Sequence, residues 1–248
     1  MNTRSRRLDE ALVAAGHFDS ASTATRAVMA GQVLLNGQTA TKPGTPVRDK
    51  DTLGLVAKEK YVGRGGFKLE AALDAFSINP AGRICLDVGA STGGFTDCLL
   101  QRGAAFVHAV DVGKGQLDWR LRNDPRVRSL EGVNARFLDP ADFQPSPQLV
   151  VGDVSFISLT AILPAVFRVV APESELVFLI KPQFEAPREK VERGGIVRDE
   201  AVRLECVEKI QAFVVASGHE WLGHIVSPIT GRDGNIEYLC RVRTKTSS

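Results

Sequence analysis

The hydrophobic pattern of residues 1–58 predicts short helices followed by turn-rich β structure. Apolar residues recur at helical spacing over 21–30, and Ser20 or Ser22 is placed to cap the start of that helix. The pair Asn36-Gly37 then separates two short apolar runs. Such a pair is typical of a tight β-hairpin turn, in which both central residues take positive φ values. We therefore predict a small α+β domain over 1–58.

From about residue 61 onward, short apolar runs alternate with stretches of helical length. The runs predict strands over 84–88, 106–112, 127–132, 149–153 and 176–180, and the other stretches predict helices over 67–75, 95–102, 116–122, 159–170 and 199–217. This alternation predicts an α/β fold with a doubly wound, mostly parallel sheet. Two last runs, 221–229 and 236–243, flank a turn and predict a C-terminal antiparallel hairpin. We take 59–64 as the linker to a domain over 65–248.

Charge and cysteine content indicate what kind of partner the protein binds and in which compartment it is found. Residues 1–60 carry nine Lys or Arg against six Asp or Glu, whereas the remaining chain is nearly balanced, so we expect an anionic partner at the N-terminal domain. The four cysteines form no C-x-x-C pair, which argues against a metal site and favours a reduced, cytoplasmic protein. The most apolar stretch is too short to span a membrane, so we expect no membrane partner. We expect a monomer.

A glycine-rich turn follows the first predicted strand and precedes a helix, as in many nucleotide sites. Its spacing, D-x-G-x-x-x-G-G over 87–94, matches neither the dinucleotide fingerprint nor the phosphate-binding P-loop. An adenosine ligand without phosphates fits better, and Asp111 is placed to accept hydrogen bonds from ribose hydroxyls. These features point to S-adenosylmethionine. The predicted cofactor-binding residues are Asp87, Gly89, Ala90, Ser91, Thr92, Gly93, Gly94, Phe95, Asp111, Val112 and Asp153.

The glycine-rich turn does not by itself require a ligand. Tight turns after strands commonly contain glycine without binding a small molecule. Asp87 is equally well understood as a structural turn acid, and the sequence does not separate the two roles.

Four polar side chains lie where a cleft is expected. Asp153 and Lys181 end the fourth and fifth predicted strands. Lys68 lies at the start of the helix before the first strand, and Glu237 lies in the C-terminal hairpin. Ligands of open parallel sheets bind beyond the carboxyl ends of the strands, where such a set suits removal of a proton from an alcohol. Each residue alone is equally consistent with a solvated side chain or an ordinary ion pair.

Six segments in combination carry a resemblance to a known family. They are 6–12 (RRLDEAL), 27–33 (AVMAGQV), 61–69 (YVGRGGFKL), 87–97 (DVGASTGGFTD), 152–159 (GDVSFISL) and 180–185 (IKPQFE). The chain resembles the TlyA family, also called haemolysin A. In that family an S4-like RNA-binding domain is fused to an FtsJ-like methyltransferase domain of Rossmann-like fold. The resemblance covers nearly the whole chain.

The resemblance implies an S-adenosylmethionine-dependent enzyme that methylates the 2′-hydroxyl of cytidine ribose in ribosomal RNA. The brief termini favour the type that acts on 23S RNA only, over the type that also acts on 16S RNA. The family's catalytic set falls on Lys68, Asp153, Lys181 and Glu237. Lys181 is then the base, Lys68 assists it, and the two acids orient the lysines.

The basic residues that we expect to meet RNA phosphates are Arg4, Arg6, Arg7, Arg26, Lys42 and Arg64. Ribosomal RNA or a ribosomal subunit is the expected partner. A non-catalytic ribosome-assembly protein and, least favoured, a membrane-damaging haemolysin remain alternatives.

Overall fold

The computed structural model describes residues 5–56, 59–231 and 233–245. The chain forms two compact units, 1–60 and 61–248. Each unit has a hydrophobic core of its own. The predicted RNA-binding residue Arg4 lies outside the described residues.

The first unit is a small α+β domain, as the hydrophobic pattern predicts. Its elements are β1 (Arg6–Arg7), α1 (Leu8–Ala14), α2 (Ala21–Met29), β2 (Val33–Leu35), β3 (Gln38–Ala40), β4 (Pro46–Val47) and β5 (Leu53–Leu55). Ser20, rather than Ser22, caps α2, because its hydroxyl accepts a hydrogen bond from the Thr23 amide at 3.3 Å. Asn36 and Gly37 form the predicted turn between β2 and β3, both with positive φ.

The second unit contains a seven-stranded sheet with helices between its strands. Its strands are β6 (Ile84–Val88), β7 (Phe106–Asp111), β8 (Val127–Glu131), β9 (Leu149–Gly152), β10 (Glu175–Ile180), β11 (Glu220–Val226) and β12 (Tyr238–Arg243). Its α-helices are α3 (Gly65–Ala75), α4 (Gly94–Gln101), α5 (Trp119–Arg122), α6 (Leu163–Val169), α7 (Pro182–Glu185) and α8 (Glu200–Ala216).

The strand order confirms a mostly parallel sheet with an antiparallel C-terminal hairpin. The order is β11-β12-β10-β9-β6-β7-β8. The pairs from β10 through β8 are parallel, and β12 is antiparallel to both of its neighbours. The last strand is therefore inserted between β10 and β11, which places the residues before it beside the carboxyl end of β10.

Several predicted boundaries were wrong for local reasons. The helix predicted over 116–122 covers only α5, because the Asp118 side chain caps it by accepting from the Arg120 amide. The helix predicted over 159–170 is divided into a 3₁₀ turn and α6, which begins just before Pro164. Proline lacks the amide hydrogen that a continuous helix needs and favours the first helical turn. The sequence pattern also missed α7.

Side chains of the central strands alternate between two cores, one on each face of the sheet. Cys85 packs with the core that α3 and α4 cover, whereas Leu86 and Val88 pack with the core that α6 and α8 cover. Asp87 shares the parity of Cys85 and is completely buried. An ionisable side chain therefore lies within the sheet directly below the glycine-rich turn.

The chain reverses direction across the sheet between β6 and β9. From β6 it runs outward to β7 and β8, and it then returns to the opposite side of β6 through β9. Val88 pairs in register with Gly152, so the two strands end together. Ligands of open α/β sheets bind at such a switch point, beyond the carboxyl ends of the strands. Gly89 and Asp153, the next residues of each strand, are thus brought side by side.

Candidate active site

Three adjoining cavities lie at this edge of the sheet. The large cavity (about 610 Å³), the small cavity (about 220 Å³) and the lysine cavity (about 320 Å³) are all lined by Ser91 and Asp153. Because they share these walls, they form one trough that crosses the carboxyl ends of the central strands. Its middle lies at Asp153, where the glycine-rich turn meets the segment that follows β9.

The glycine-rich turn is held against the end of β7 by its own backbone. The amides of Gly89 and Ala90 both donate to the Val110 carbonyl, at 2.8 and 3.0 Å. Gly89 has φ +83°, and a Cβ on it would lie 2.7 Å from the Asp153 carbonyl oxygen. A side chain is therefore excluded at this position by both conformation and space.

Six of the predicted cofactor-binding residues of the turn line the small cavity: Gly89, Ala90, Ser91, Thr92, Gly94 and Phe95. Gly93 precedes α4 as its N-cap, in the left-handed conformation, and its amide donates to the Ala90 carbonyl at 2.7 Å. The turn thus forms the wall between the small cavity and the body of the sheet.

Asp111 joins the glycine-rich turn to the large cavity. Its Oδ2 accepts from the Ser91 amide at 2.8 Å and its Oδ1 accepts from the Gly113 amide at 2.7 Å. A carboxylate oxygen accepts more than one hydrogen bond, so both oxygens keep capacity for a ligand. Asp111 and the largely exposed Val112 both line the large cavity.

Asp87 lies below the turn and is absent from the described lining of the three cavities. Its Oδ2 accepts from the Thr96 hydroxyl of α4 at 2.7 Å, and its Oδ1 has no partner among the described residues. Burial, which the Thr96 hydrogen bond opposes, raises the pKa of Asp87 to about 7. The geometry is that of a residue that ties β6 to α4.

Asp87→Asn is expected to remove a pH-dependent loss of stability. An unfolded aspartate has a pKa of about 3.9, whereas that of folded Asp87 is raised to about 7. The folded state therefore binds the proton more tightly, and this contribution to stability is lost as the pH rises from about 4 through about 7. The asparagine stays neutral and still accepts from Thr96. Denaturant titrations should show that the free energy of unfolding of the variant increases relative to that of the wild type as the pH rises across this range. A constant difference between the two proteins would contradict the raised pKa of Asp87.

The four predicted polar residues meet in the lysine cavity. The Lys181 ammonium lies 2.6 Å from Asp153 Oδ1, and the Lys68 ammonium lies 3.9 Å from Asp153 Oδ2. Lys68 also donates to Glu237 Oε2 at 2.6 Å. These side chains form a continuous chain of alternating charge in which each lysine has a carboxylate partner.

Four separate elements supply this chain of charges. Lys68 comes from α3, and Asp153 and Lys181 directly follow β9 and β10. Glu237 directly precedes β12, whose position beside β10 brings it to the same edge. Both lysines and Glu237 are buried, and Asp153 is partly exposed at the middle of the trough.

Several residues of the trough were missed by the sequence analysis. Ser155 accepts from Lys181 Nζ at 2.8 Å, and Asn134 and Ala135 line the large cavity after β8. Asn134 and Ala135 could have been predicted from the sequence, because they follow β8, a parallel strand that ends at the same edge of the sheet. Phe156 also lines the large cavity and is 90% exposed, with a positive φ of 63°. A positive φ is uncommon for a bulky residue other than glycine, so Phe156 is an unusual residue in the wall of the large cavity.

The predicted RNA-binding residues that the structure describes lie on both units. Arg6, Arg7, Arg26 and Lys42 are exposed on the first unit. Arg64 is exposed at the start of α3 and lines the lysine cavity. Arg64 is therefore the one of this set that lies at the trough.

Among the described residues, the structure contains neither a candidate membrane-spanning helix nor a candidate metal-binding cluster. No helix there is long and apolar enough to cross a bilayer. No group of three or more His, Cys, Asp or Glu side chains there is arranged to hold a metal ion.

Comparisons with known proteins match both units. The FtsJ-like methyltransferase family matches residues 61–243, and the S4 domain family matches residues 6–53. The 16S/23S rRNA (cytidine-2′-O)-methyltransferase TlyA of Mycobacterium tuberculosis is 45% identical, over 98% of this chain and 91% of its own length. Hemolysin A of Brachyspira hyodysenteriae is 44% identical, over 94% and 98%. A solved structure described as "Putative hemolysin from Streptococcus thermophilus" is 44% identical, with a TM-score of 0.75, and the match covers 99% of this chain and 90% of that one.

Proposed function

The chain belongs to the TlyA family of FtsJ-like methyltransferases with an N-terminal S4 domain, and from this premise we propose that it methylates the 2′-hydroxyl of cytidine ribose in ribosomal RNA. The observation that carries the proposal is the junction of the large and small cavities with the lysine cavity at Asp153. A cofactor site and a set of proton-handling side chains thus share one wall. Transfer of a group to an alcohol needs both in contact.

The large and small cavities fit S-adenosylmethionine, which supplies a methyl group on a positively charged sulfonium. The described lining of the large cavity contains Asp111 and Asp153 and no Lys or Arg, so it suits a cation and offers no clamp for a phosphate. Val112, Ala135 and Ile162 form apolar walls that suit a flat base. Asp111 suits ribose hydroxyls. Gly89 to Phe95 then hold the remainder of the cofactor.

Lys181 is the residue that we assign to proton removal. The 2′-hydroxyl proton would pass to Lys181 Nζ as the new carbon–oxygen bond forms and the carbon–sulfur bond of the methyl donor breaks. The resulting ammonium is held by Asp153 at 2.6 Å and by Ser155 at 2.8 Å. Glu237 orients Lys68. The positive charge of Lys68 lies 3.9 Å from Asp153 and competes with Lys181 for that carboxylate. Loss of a methyl group from a sulfonium would leave a neutral thioether, so no acid is required of the protein.

The first unit is suited to contact the RNA backbone. The Arg7 guanidinium donates to both oxygens of Asp9, at 3.1 and 2.8 Å, and these hydrogen bonds lower the pKa of Asp9. Arg7 is thereby held rigid with its side chain 56% exposed, and Arg26 lies exposed on α2. Exposed arginines on a domain with few aromatic residues favour recognition of phosphates over stacking on bases.

Arg26→Ala is expected to weaken RNA binding in a salt-dependent manner. Each lost phosphate contact lowers the slope of log affinity against log salt by about 0.7–0.9. The slope for a ribosomal RNA fragment, measured between about 50 and 200 mM salt, should therefore decrease. Arg168→Ala, near the amino ends of the strands, is the matched control and should leave the slope unchanged. An unchanged slope in Arg26→Ala would remove that arginine from the interface.

Nucleoside analysis of methylated RNA tests the proposed function. Wild-type protein, ribosomal RNA or subunits and S-adenosylmethionine carrying a labelled methyl group should yield labelled 2′-O-methylcytidine. We expect it in 23S RNA, and 16S RNA in the same assay decides whether the small subunit is also a substrate. Label on a base, or no label with cofactor bound, would reject the proposal. We expect the enzyme to act in the cytoplasm, where this RNA is found.

A further inference from the structure

Glu185 is a buried carboxylate outside the chain of charges in the lysine cavity. It ends α7, four residues after Lys181, and its side chain is 1% exposed. Its Oε1 accepts from the Leu159 amide at 2.7 Å, and its Oε2 accepts from the Ser158 hydroxyl at 2.6 Å and from Lys209 Nζ at 2.9 Å. A buried carboxylate is costly unless it is paired and hydrogen-bonded. The contacts satisfy that requirement by joining three parts of the unit.

The first part is the segment 153–159, of which residues 153–157 line the large cavity. Asp153 to Ser158 lie outside helices and strands, and the segment ends in a 3₁₀ turn. Its start is held by the Asp153 amide, which donates to the Val88 carbonyl at 3.0 Å. Its other end is held by Glu185. The path between these two attachments therefore decides where Asp153 and Ser155 lie.

The second and third parts are α7 and α8. Lys181 directly precedes α7, so the position of this short helix fixes where the Lys181 side chain begins. Lys209 of α8 donates to the Glu185 carboxylate and also to its backbone carbonyl, each at 2.9 Å. Glu185 thus links the helix after Lys181 both to α8 and to the segment that carries Asp153.

We propose that Glu185 is a positioning residue, which holds segment 153–159 against α7 and thereby sets Asp153 and Ser155 at hydrogen-bonding distance from Lys181. The inference rests on the proposed function in one respect: Lys181 must be the residue that takes the proton from the ribose hydroxyl. Misplacement of a reacting group by about 1 Å is enough to lower a rate by about a hundredfold. A carboxylate that never touches substrate is therefore expected to change the rate of the chemical step.

Three variants test this role through kcat and through hydrogen exchange. Glu185→Ala should lower kcat by about ten- to a hundredfold and should speed hydrogen exchange of the Leu159 amide by about tenfold or more. Glu185→Gln keeps a carbonyl oxygen for that amide and a polar group for Ser158, so kcat should stay within about threefold of the wild type. Glu205→Ala is the matched control, because it removes a carboxylate that pairs with Lys190 at 2.6 Å on the exposed side of α8. It should change neither quantity.

The outcomes separate this inference from the proposed function. Faster exchange at Leu159 with lower kcat, restored by the glutamine, supports it. Wild-type kcat or wild-type exchange in Glu185→Ala overturns it. If Glu185→Ala fails to fold, Ser158→Ala decides, since unchanged kcat there overturns the inference and lowered kcat supports it. If the wild type methylates no RNA but Glu185→Ala still speeds hydrogen exchange of the Leu159 amide, the proposed function is wrong. Glu185 is then still the residue that holds segment 153–159 in place.

Discussion

Lys181→Met is expected to lower kcat for ribose methylation by about a thousandfold, because a general base contributes on the order of 10²–10⁴ to a rate. Methionine fills a similar volume, is flexible and carries no proton acceptor of comparable strength. Lys181 lines the small cavity as well as the lysine cavity, so the dissociation constant of the cofactor is measured separately, and the loss in kcat should persist at saturating cofactor. Single-turnover methylation with saturating cofactor measures the chemical step directly.

Two further variants separate the base from its neighbours. Lys68→Met should lower kcat less than Lys181→Met, because Lys68 lies 3.9 Å from the shared Asp153 and is held by Glu237 instead. Lys190→Met removes an exposed lysine that also has a carboxylate partner, Glu205, and should leave kcat unchanged. If Lys68→Met proves the more damaging change, the roles of the two lysines must be exchanged.

The Lys181→Met variant is checked for folding and for cofactor binding before its rate is compared with that of the wild type. Full activity in Lys181→Met, with the protein folded and the cofactor bound, would reject the assigned base.

The parallel core of the sheet was predictable because its strands are buried on both faces. Such strands have nearly continuous apolar sequences, as in β9 and β10. A run of this kind can be recognised without knowledge of the strands that pair with it. Helix limits were less predictable, since they depend on single capping contacts. The hydrogen bond from Arg120 to Asp118 shortens α5, and Pro164 fixes the start of α6. Asp118 and Pro164 are both present in the sequence, but the predicted helices followed the apolar pattern instead of these two residues.

The site was predictable where topology alone decides position. Asp153 and Lys181 each follow a strand, and parallel neighbouring strands end at one edge. The pairing of Lys68 with Glu237 joins residues 169 positions apart, so only the inserted β12 accounts for it. Glu185 was missed because an acid after a proline-led turn is usually exposed, and its burial depends on Lys209 of a distant helix.

Gly89→Ala is expected to weaken binding of S-adenosylmethionine by about a hundredfold or more. The alanine must adopt φ +83°, and its Cβ would lie 2.7 Å from the Asp153 carbonyl oxygen. The left-handed conformation alone costs about 1–2 kcal/mol. The contact with a backbone oxygen cannot be relieved by rotation of a side chain, so either the glycine-rich turn or segment 153–159 must move. Both line the trough, so calorimetric titration should show a large rise in the dissociation constant.

Gly82→Ala isolates the part of this effect that comes from close approach. Gly82 has a similar φ of +72°, but a Cβ on it would meet nothing within 4 Å. It therefore incurs the conformational cost without the contact, and it precedes β6 at the opposite edge of the sheet. Thermal unfolding should show a loss of stability in both variants, whereas cofactor affinity should fall only in Gly89→Ala. Equal affinities would mean that the turn tolerates a side chain beside Asp153, and the cofactor site would then have to be sought elsewhere in the trough.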